Sequence, residues 1–293
     1  MRQQKLETII WLARLGSFRA VAERLNITQA AISQRVASME RELGAKLFER
    51  STRGLKLTPE GATVLSYAER IVDLSAEMQI QVTNPSAYVG TIRMGAVETL
   101  VHVWLHRLLE RIHETYPGVT IELTVDTSVV LREAVANGKL DLAMLLSPGD
   151  VPGLIKREIC SYSLAWAASP RLGLAGKRLT VGELAKLPII TFPKRSAPYN
   201  MIKDLFRGRN LPPVRLNASG SLSTTIRLAV NGMGVSMLPP ITIERELKEG
   251  LLHVFETDFS PPELHYTSIY PATPLNPLAE IISDMARSIA TGA

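Results

Sequence analysis

The sequence predicts an α/β protein with a small helical head, one long helix and a larger body of two lobes. The first 58 residues contain eleven Lys and Arg but only five Asp and Glu, whereas the rest of the chain carries one net negative charge. An amphipathic helical pattern then runs to about residue 83, and from Val89 onward strand and helix patterns alternate. We therefore assign the head to 1–58, the linker helix and hinge to 59–87, and the body to 88–293.

Composition and the N-terminus exclude several classes of protein. Hydrophobic residues make up 46% of 293 residues, which is typical of a globular chain with a sizeable core. The single cysteine, Cys160, excludes an intrachain disulfide framework and is predicted to be a core thiol. Because we see neither a signal peptide nor an apolar run long enough to cross a bilayer, we expect a cytoplasmic protein with no membrane partner.

The head has the pattern of a helix-turn-helix. Apolar spacing predicts a first helix that ends near Gly16, a second that Ser17 caps, and a third that begins at Thr28 after a tight turn. This third helix has no acidic residue before Glu40, although helix N-termini usually attract acidic side chains. Its front end is therefore predicted to enter the major groove of double-stranded DNA. A solvated basic surface without a partner is the alternative.

The predicted DNA contacts lie on the third helix and on the hairpin after it. Residues 51–54 have turn chemistry and 55–57 alternate as a strand does, which predicts a basic wing. Gln29 is predicted to reach a base edge, Ser33 a phosphate and Arg53 the minor groove. The complete predicted set is Thr28, Gln29, Ala30, Ser33, Gln34, Arg35, Arg50, Arg53 and Lys56. For the wing, a solvated loop with scattered charges is the alternative.

The long helix is predicted to join two copies of the chain. Thr58 and Pro59 mark its start, and residues 84–86 (Asn-Pro-Ser) break it to form a hinge. Its apolar stripe is wider than a nearby segment of the same chain easily covers; it includes Val64, Ala68, Ile71, Ser75 and Met78. We therefore predict a dimerisation helix within a homodimer or homotetramer. Packing only within its own chain is the alternative.

The body shows a βαβαβ pattern twice, which predicts mostly parallel sheets flanked by helices. We assign lobe I to about 88–162 and 267–293, and lobe II to about 163–266. Two α/β lobes place a ligand cleft between them, where strand ends and helix N-termini converge.

These residues resemble a known family. The stretch "FRAVAERLNITQAAISQRVASMERELGAKLFERSTRGLKLTPEG" is similar to the DNA-binding signature of LysR-type transcriptional regulators. The segments "GTIRMGA" and "VNGMGVSMLP" resemble later parts of that family, whereas Ala30 stands where many members have Pro. The resemblance implies a winged helix-turn-helix, a dimerising linker helix, a two-lobed effector domain like a periplasmic binding protein, and usually a tetramer. It also implies control of transcription by a sensed metabolite, with RNA polymerase as a further partner of an activator.

The effector is predicted to be a small organic anion, specifically a carboxylate. Thr99, Thr127 and Ser128 stand at strand-to-helix junctions, where hydroxyl groups and free amides stabilise an anion. Lys194 and Arg195 leave a strand of the other lobe toward the same cleft. The predicted effector set is Thr99, Leu100, Thr127, Ser128, Phe192, Pro193, Lys194 and Arg195. The alternative is that these hydroxyl groups only cap helices and the two cations are solvated.

Other chemistry is not predicted. His102, His106 and His113 are spaced along one helix, but no carboxylate or cysteine completes a metal site with them, so no metal or cofactor is expected. Gly232 and Gly234 lack the third glycine of a dinucleotide fingerprint and are predicted to form a turn. No nucleophile and base are paired by the sequence, so we do not expect an enzyme. An enzyme with an accessory DNA-binding head and an architectural DNA-binding protein without ligand are the alternatives.

Overall fold

The computed structural model describes residues 3–51, 54–82, 88–207, 211, 213–272 and 276–292. The head consists of three helices and a hairpin: α1 (Gln3–Leu15), α2 (Phe18–Leu25), α3 (Gln29–Leu43), β1 (Phe48–Ser51) and β2 (Gly54–Leu57). The side chains of Ser17 and Thr28 cap α2 and α3 as predicted, because each hydroxyl oxygen accepts a hydrogen bond from a backbone N–H of the first turn. Asn26 and Gly44 end the same helices in the left-handed conformation.

The long helix α4 (Pro59–Val82) divides its apolar residues between two environments. Ala68 and Val72 are buried against the α1 side of the head. Among the described side chains of α4, four large apolar ones are exposed; they are Tyr67, Ile71, Leu74 and Met78. The predicted stripe therefore packs partly within its own chain and leaves a second face open. The predicted hinge at 84–86 lies outside the described residues.

The start of α4 is held against the hairpin at Gly61. A Cβ atom at this position would lie 2.0 Å from the carbonyl oxygen of Leu47. The Gly61 N–H also donates to the Thr58 hydroxyl at 2.9 Å, which caps the helix. Only glycine allows this close approach, so the wing and the linker helix have one fixed relative position.

Lobe I is built on a five-stranded sheet in the order β4-β3-β5-β13-β6. Its strands are β3 (Gly90–Ala96), β4 (Val119–Val125), β5 (Leu142–Leu146), β6 (Leu154–Tyr162) and β13 (Leu264–Pro271). β3 is parallel to β4 and β5, whereas β13 is antiparallel to β5 and β6. The helices are α5 (Glu98–Leu100), a π-helical segment (Val101–Leu105), α6 (His106–Thr115), α7 (Ser128–Ala136) and α12 (Pro277–Thr291). The first three of these are consecutive, so they form one helix.

Lobe II is built on a six-stranded sheet in the order β10-β9-β11-β7-β12-β8. Its strands are β7 (Ala165–Ala168), β8 (Arg178–Leu179), β9 (Ile189–Thr191), β10 (Leu216–Ala218), β11 (Val235–Leu238) and β12 (His253–Thr257). Its helices are α8 (Val181–Leu184), α9 (Ala197–Leu205), α10 (Leu222–Val230) and α11 (Glu244–Lys248), with 3-10 turns at Pro170–Leu172 and Pro240–Ile243. β7 is antiparallel to both of its neighbours, so this sheet is mixed as well.

Strands β6, β8 and β12 were not predicted from the sequence. β6 lies on an edge of lobe I and has three consecutive charged residues, 156–158, in its middle, and β8 has only two residues. The predicted turn at Gly232 is present, because this residue has φ +75° between α10 and β11. Within the described ranges, no helix is both long enough and apolar enough to cross a membrane.

Candidate functional site

The exposed face of α3 carries four of the predicted DNA contacts. Gln29, Ala30, Ser33 and Gln34 are all exposed. The opposite face is buried in the head; it consists of Ile32, Val36 and Met39. One helix thus holds an apolar face on the core and presents amides and a hydroxyl to solvent, which is the arrangement of a recognition helix.

Arg35 lies at the boundary between these two faces. Its guanidinium donates to the backbone oxygen of Gln4 at 3.4 Å, to Gln4 Oε1 at 3.3 Å and to Thr8 Oγ1 at 3.3 Å. The side chain is therefore tied to α1 in the structure, and its contact with DNA stays a prediction. The Thr28 hydroxyl caps α3 through the Ala31 N–H at 3.2 Å.

The two described basic residues of the wing lie on opposite strands of the hairpin. Arg50 lies on β1 opposite Leu55, and Lys56 lies on β2 opposite Glu49 with its side chain exposed. Arg53, predicted for the minor groove, lies outside the described residues. The hairpin itself is formed, so the predicted wing has a structural basis on both of its strands.

A cleft of about 550 Å³ lies between the two lobes. Six of the eight predicted effector residues line it; they are Thr99, Thr127, Ser128, Phe192, Pro193 and Arg195. Leu100 is instead fully buried in the core. Lys194 is exposed but is not part of the cleft wall. The cleft therefore brings together strand-to-helix junctions of both lobes, as predicted, with Lys194 and Leu100 outside it.

The wall from lobe I is formed where α5 and α7 begin. Thr99 is buried with 5% of its surface exposed. The Thr127 side chain makes no capping bond to α7. The Ser128 hydroxyl accepts a hydrogen bond from the Leu146 N–H at 3.1 Å, which joins α7 to the end of β5. The first turn of α7 thus has amide groups available at the edge of the cleft.

Two arginines line the cleft from opposite lobes. Arg132 extends from α7, and Arg195 extends from the loop between β9 and α9. Within the described part of the chain, neither has an ion pair or a hydrogen-bonded partner. Arg195 also has φ +73°, a left-handed conformation that is unusual for a residue other than glycine. Such backbone conformations are concentrated at binding sites, where surrounding contacts hold them in place.

A carboxylate from lobe I joins the two lobes. Glu98 accepts hydrogen bonds from the Leu222 N–H at 2.5 Å, the Ser223 N–H at 3.4 Å and the Ser221 hydroxyl at 3.2 Å. His102 lies 3.8 Å from the same carboxylate. The N-terminus of α10 is therefore already occupied by a negative charge of the protein itself.

Several residues of the cleft wall were not predicted from the sequence. Asp126 accepts a hydrogen bond from the Thr127 N–H at 2.6 Å, and Tyr266 forms part of the wall from the interior strand β13. Ser219 follows β10, and Arg132 lies one turn inside α7. The signal for Arg132 was present, because a residue four positions after Ser128 lies on the same face of a helix.

Burial affects the titration of a thiol and two phenols on β6 and β13. Burial raises the pKa of the Cys160 thiol above its ordinary value. Burial also raises the pKa of Tyr162 and of Tyr266, so both phenols stay neutral. Among the described residues, no group of three or more His, Cys, Asp or Glu side chains is placed to hold a metal ion.

Two family models match the chain. Residues 86–290 match the model described as LysR substrate binding domain. Residues 3–62 match the model described as bacterial regulatory helix-turn-helix protein, lysR family. Together they confirm the family and the fold class predicted from the sequence.

Named relatives cover most of the chain. The HTH-type transcriptional regulator GltR of Bacillus subtilis is 28% identical over 250 residues, which is 85% of this chain and 83% of GltR. A probable hydrogen peroxide-inducible genes activator of Mycobacterium avium is 28% identical over 250 residues, 84% of this chain and 80% of that protein. The crystal structure of ArgP from Mycobacterium tuberculosis has a TM-score of 0.67 at 19% identity and covers 98% of this chain and 97% of ArgP. The two sequence relatives are named for transcriptional control, which is a non-enzymatic role.

Proposed function

This chain belongs to the LysR family of bacterial transcriptional regulators, and we propose that it is a regulator whose effector is a small organic anion bound between its lobes. LysR regulators bind DNA and small-molecule effectors and form oligomers. The effector of this chain is, in our proposal, a carboxylate. We further propose that it works in the cytoplasm on operator DNA, and that as an activator it also contacts RNA polymerase.

The observation that carries the anion proposal is the pair of cleft guanidiniums. Arg132 and Arg195 lie on opposite walls, and within the described ranges no carboxylate neutralises either of them. A cation in a concave, partly desolvated site interacts more strongly with an anion than a cation on an open surface does. A carboxylate that bridges the two walls therefore gains charge-assisted hydrogen bonds from both lobes.

The N-termini of two helices support the same ligand chemistry. The free amides at the start of α5 and α7 lie on the lobe I wall, beside Thr99 and Ser128. Helix N-termini carry partial positive charge and bind anions through backbone N–H groups. The α10 terminus is already occupied by Glu98, so we assign the ligand carboxylate to the lobe I side.

The DNA-binding part of the proposal rests on α3 and the hairpin. Gln29, Ser33 and Gln34 are exposed on one face, and the head carries the excess positive charge of the chain. Basic residues bind phosphate without regard to sequence, whereas amide side chains on a recognition helix read base edges. We assign the base contact to Gln29, and we propose Ser33, Arg35, Arg50 and the wing cations as the phosphate and backbone contacts.

The exposed face of α4 supports assembly into a homodimer or homotetramer. Tyr67, Ile71, Leu74 and Met78 leave between 47% and 67% of their surfaces exposed. Residues three and four apart share one face of a helix, so these side chains form a continuous apolar stripe. A second copy of α4 is its proposed occupant.

Calorimetry with a panel of compounds tests the effector class. We expect a carboxylate such as succinate or benzoate to bind, and amines and neutral sugars not to bind. In a Thr99→Ala, Ser128→Ala double variant the affinity should fall roughly tenfold to a hundredfold, because two hydrogen-bonding groups are lost. A neutral or cationic compound that binds equally well to the double variant contradicts the proposal.

A further inference from the structure

A buried ion pair connects the head to lobe I of the same chain. Arg24, at the end of α2, pairs with the carboxylate of Asp141, which precedes β5. The two side chains are only 15% and 5% exposed. Asp141 also accepts a hydrogen bond from the Arg93 N–H at 2.9 Å, and the Arg93 guanidinium donates to the backbone oxygen of Arg24 at 3.3 Å. The contact therefore involves both the side chain and the main chain of the head.

Apolar packing reinforces this ion pair. The Arg24 guanidinium lies over the Trp11 ring, 4.6 Å from its centroid. The ring also lies close to Gly138, which has φ +65° in the turn between α7 and β5. A Cβ atom at Gly138 would lie 2.7 Å from the Trp11 ring. Trp11 thus fits a position on lobe I that requires glycine both for its backbone and for its space.

The element that receives the head also forms the effector cleft. α7 begins in the cleft wall at Ser128 and ends beside Gly138. β5 then starts next to Asp141 and returns to the cleft, where Leu146 and Ser147 belong to the wall. The bond from the Leu146 N–H to the Ser128 hydroxyl closes this unit at the cleft end. Five strand residues span about 16 Å, so one short rigid unit has the cleft at one end and the head at the other.

We propose that Arg24, Trp11, Gly138 and Asp141 form a latch that holds the head on lobe I, and that the α7–β5 unit links this latch to the cleft. Asp141 is a positioning residue in this scheme. It pairs with Arg24 and so affects DNA binding only through the position of the head on lobe I. A ligand that contacts Ser128 or Arg132 contacts α7 directly. Because a helix moves as a rigid body, a shift of its cleft end also moves its other end, beside Gly138. This link rests on the proposed effector site, whereas the latch itself does not.

The latch is suited to opening as well as closing. Arg24 is desolvated, and within the described residues its Nε has no hydrogen-bonded partner. Removing two charges from water offsets much of their mutual attraction, so a buried ion pair with an unsatisfied donor is only marginally stable. Small changes at Asp141 therefore shift the balance between a docked and a released head.

Hydrogen–deuterium exchange on the full-length protein tests the latch. We compare the wild type with Asp141→Asn, which removes the charge, and with Gly138→Ala, which blocks the Trp11 position and leaves both charges. In both variants the amides of 18–27 and 137–142 should exchange at least about tenfold faster. The cleft segment 143–148 should also exchange faster, because it belongs to the same unit. Glu280→Gln is the matched control, since it removes an ion pair with Arg157 elsewhere in lobe I.

Each other outcome contradicts a defined part of the proposal. Unchanged exchange at 18–27 in both variants means that the head is not latched. Faster exchange at 18–27 without any change at 143–148 overturns the link to the cleft. An equal acceleration in β11 of lobe II, or in the Glu280→Gln control, assigns the effect to global unfolding and overturns the latch. No effector is present in this experiment, so its result is independent of the calorimetry on the effector class.

Discussion

The head and the cleft present polar groups in opposite ways. The recognition face of α3 is convex and exposed, and the guanidinium at its edge, Arg35, is tied to α1. The cleft is concave, and its guanidiniums, Arg132 and Arg195, lack partners within the described residues. A concave wall excludes part of the surrounding water, so a charge there is screened less than a charge on a convex surface, although Arg195 is itself exposed and Arg132 is half-buried. Single contacts should therefore have larger effects in the cleft than on the head, and the following predictions are ordered accordingly.

The largest effect is expected from reversing both cleft charges. In an Arg132→Glu, Arg195→Glu variant, a carboxylate should lose two charge-assisted bonds, roughly 1.5–3 kcal/mol each. Binding in calorimetry should fall by more than about a hundredfold, while affinity for nonspecific duplex DNA should change little. The matched control is Arg227→Glu, an exposed arginine of lobe II that does not line the cleft. Affinity within a few-fold of wild type in the double variant would remove both arginines from the ligand site.

An intermediate effect is expected at the helix between the two regions. Ile71→Glu should place an unpaired charge in the proposed α4 seam, at a cost of several kcal/mol. Light scattering should show dissociation into smaller species, since the seam of both copies is affected. The control is Glu60→Gln at the exposed start of the same helix. If the oligomer stays intact, α4 does not hold the assembly.

A smaller effect is expected on the recognition helix. Gln29→Ala should lose a base contact and cost roughly 1–3 kcal/mol of discrimination between operator and scrambled DNA. Affinity for nonspecific DNA and its salt dependence should stay the same, because an amide releases no counterions. The control is Gln3→Ala, which removes the same amide group from the exposed surface of α1. Equal discrimination in the two variants argues against a base contact by Gln29.

The smallest effect concerns the thiol behind the cleft. Because burial raises the pKa of Cys160, the folded protein should hold a neutral thiol at pH 7. Alkylation by iodoacetamide should be slower than in the unfolded chain and should accelerate only above about pH 8.5, the ordinary thiol range. Rapid alkylation at pH 7 would show a thiolate and contradict the raised pKa.

The two regions also differ in how far the sequence predicts them. Ser33 and Gln34 were placed on the exposed face of α3 correctly, because a helical face depends only on the spacing of nearby residues. Arg35 falls between the faces, so local spacing does not determine whether its long side chain turns outward or back to α1. The head is one continuous segment, and most of its geometry is local.

The cleft is instead assembled from distant segments by sheet topology. Lys194 and Arg195 are adjacent in sequence, yet only Arg195 lines the wall, because a left-handed backbone at Arg195 turns the loop. Tyr266 enters the wall from β13, which returns to lobe I after the whole of lobe II. In the sequence, Glu98 is an acidic residue at the start of a helix, which is a common position for it. Only the position of lobe II reveals that it caps α10. No local pattern contains that information.

The π-helical segment at Val101–Leu105 affects which changes in sequence length the fold tolerates. Core residues Leu100, Trp104, Leu108 and Ile112 follow one another at intervals of four. In a regular helix each such interval turns the face by about 40°, so three of them would rotate it by about 120° away from the core. The widened turn removes the part of this rotation that falls between Leu100 and Trp104. A one-residue insertion or deletion there would therefore turn Glu98 relative to lobe II, while α6 keeps its packing register. Length variation at this turn is thus a route to new effector preferences that leaves the fold intact.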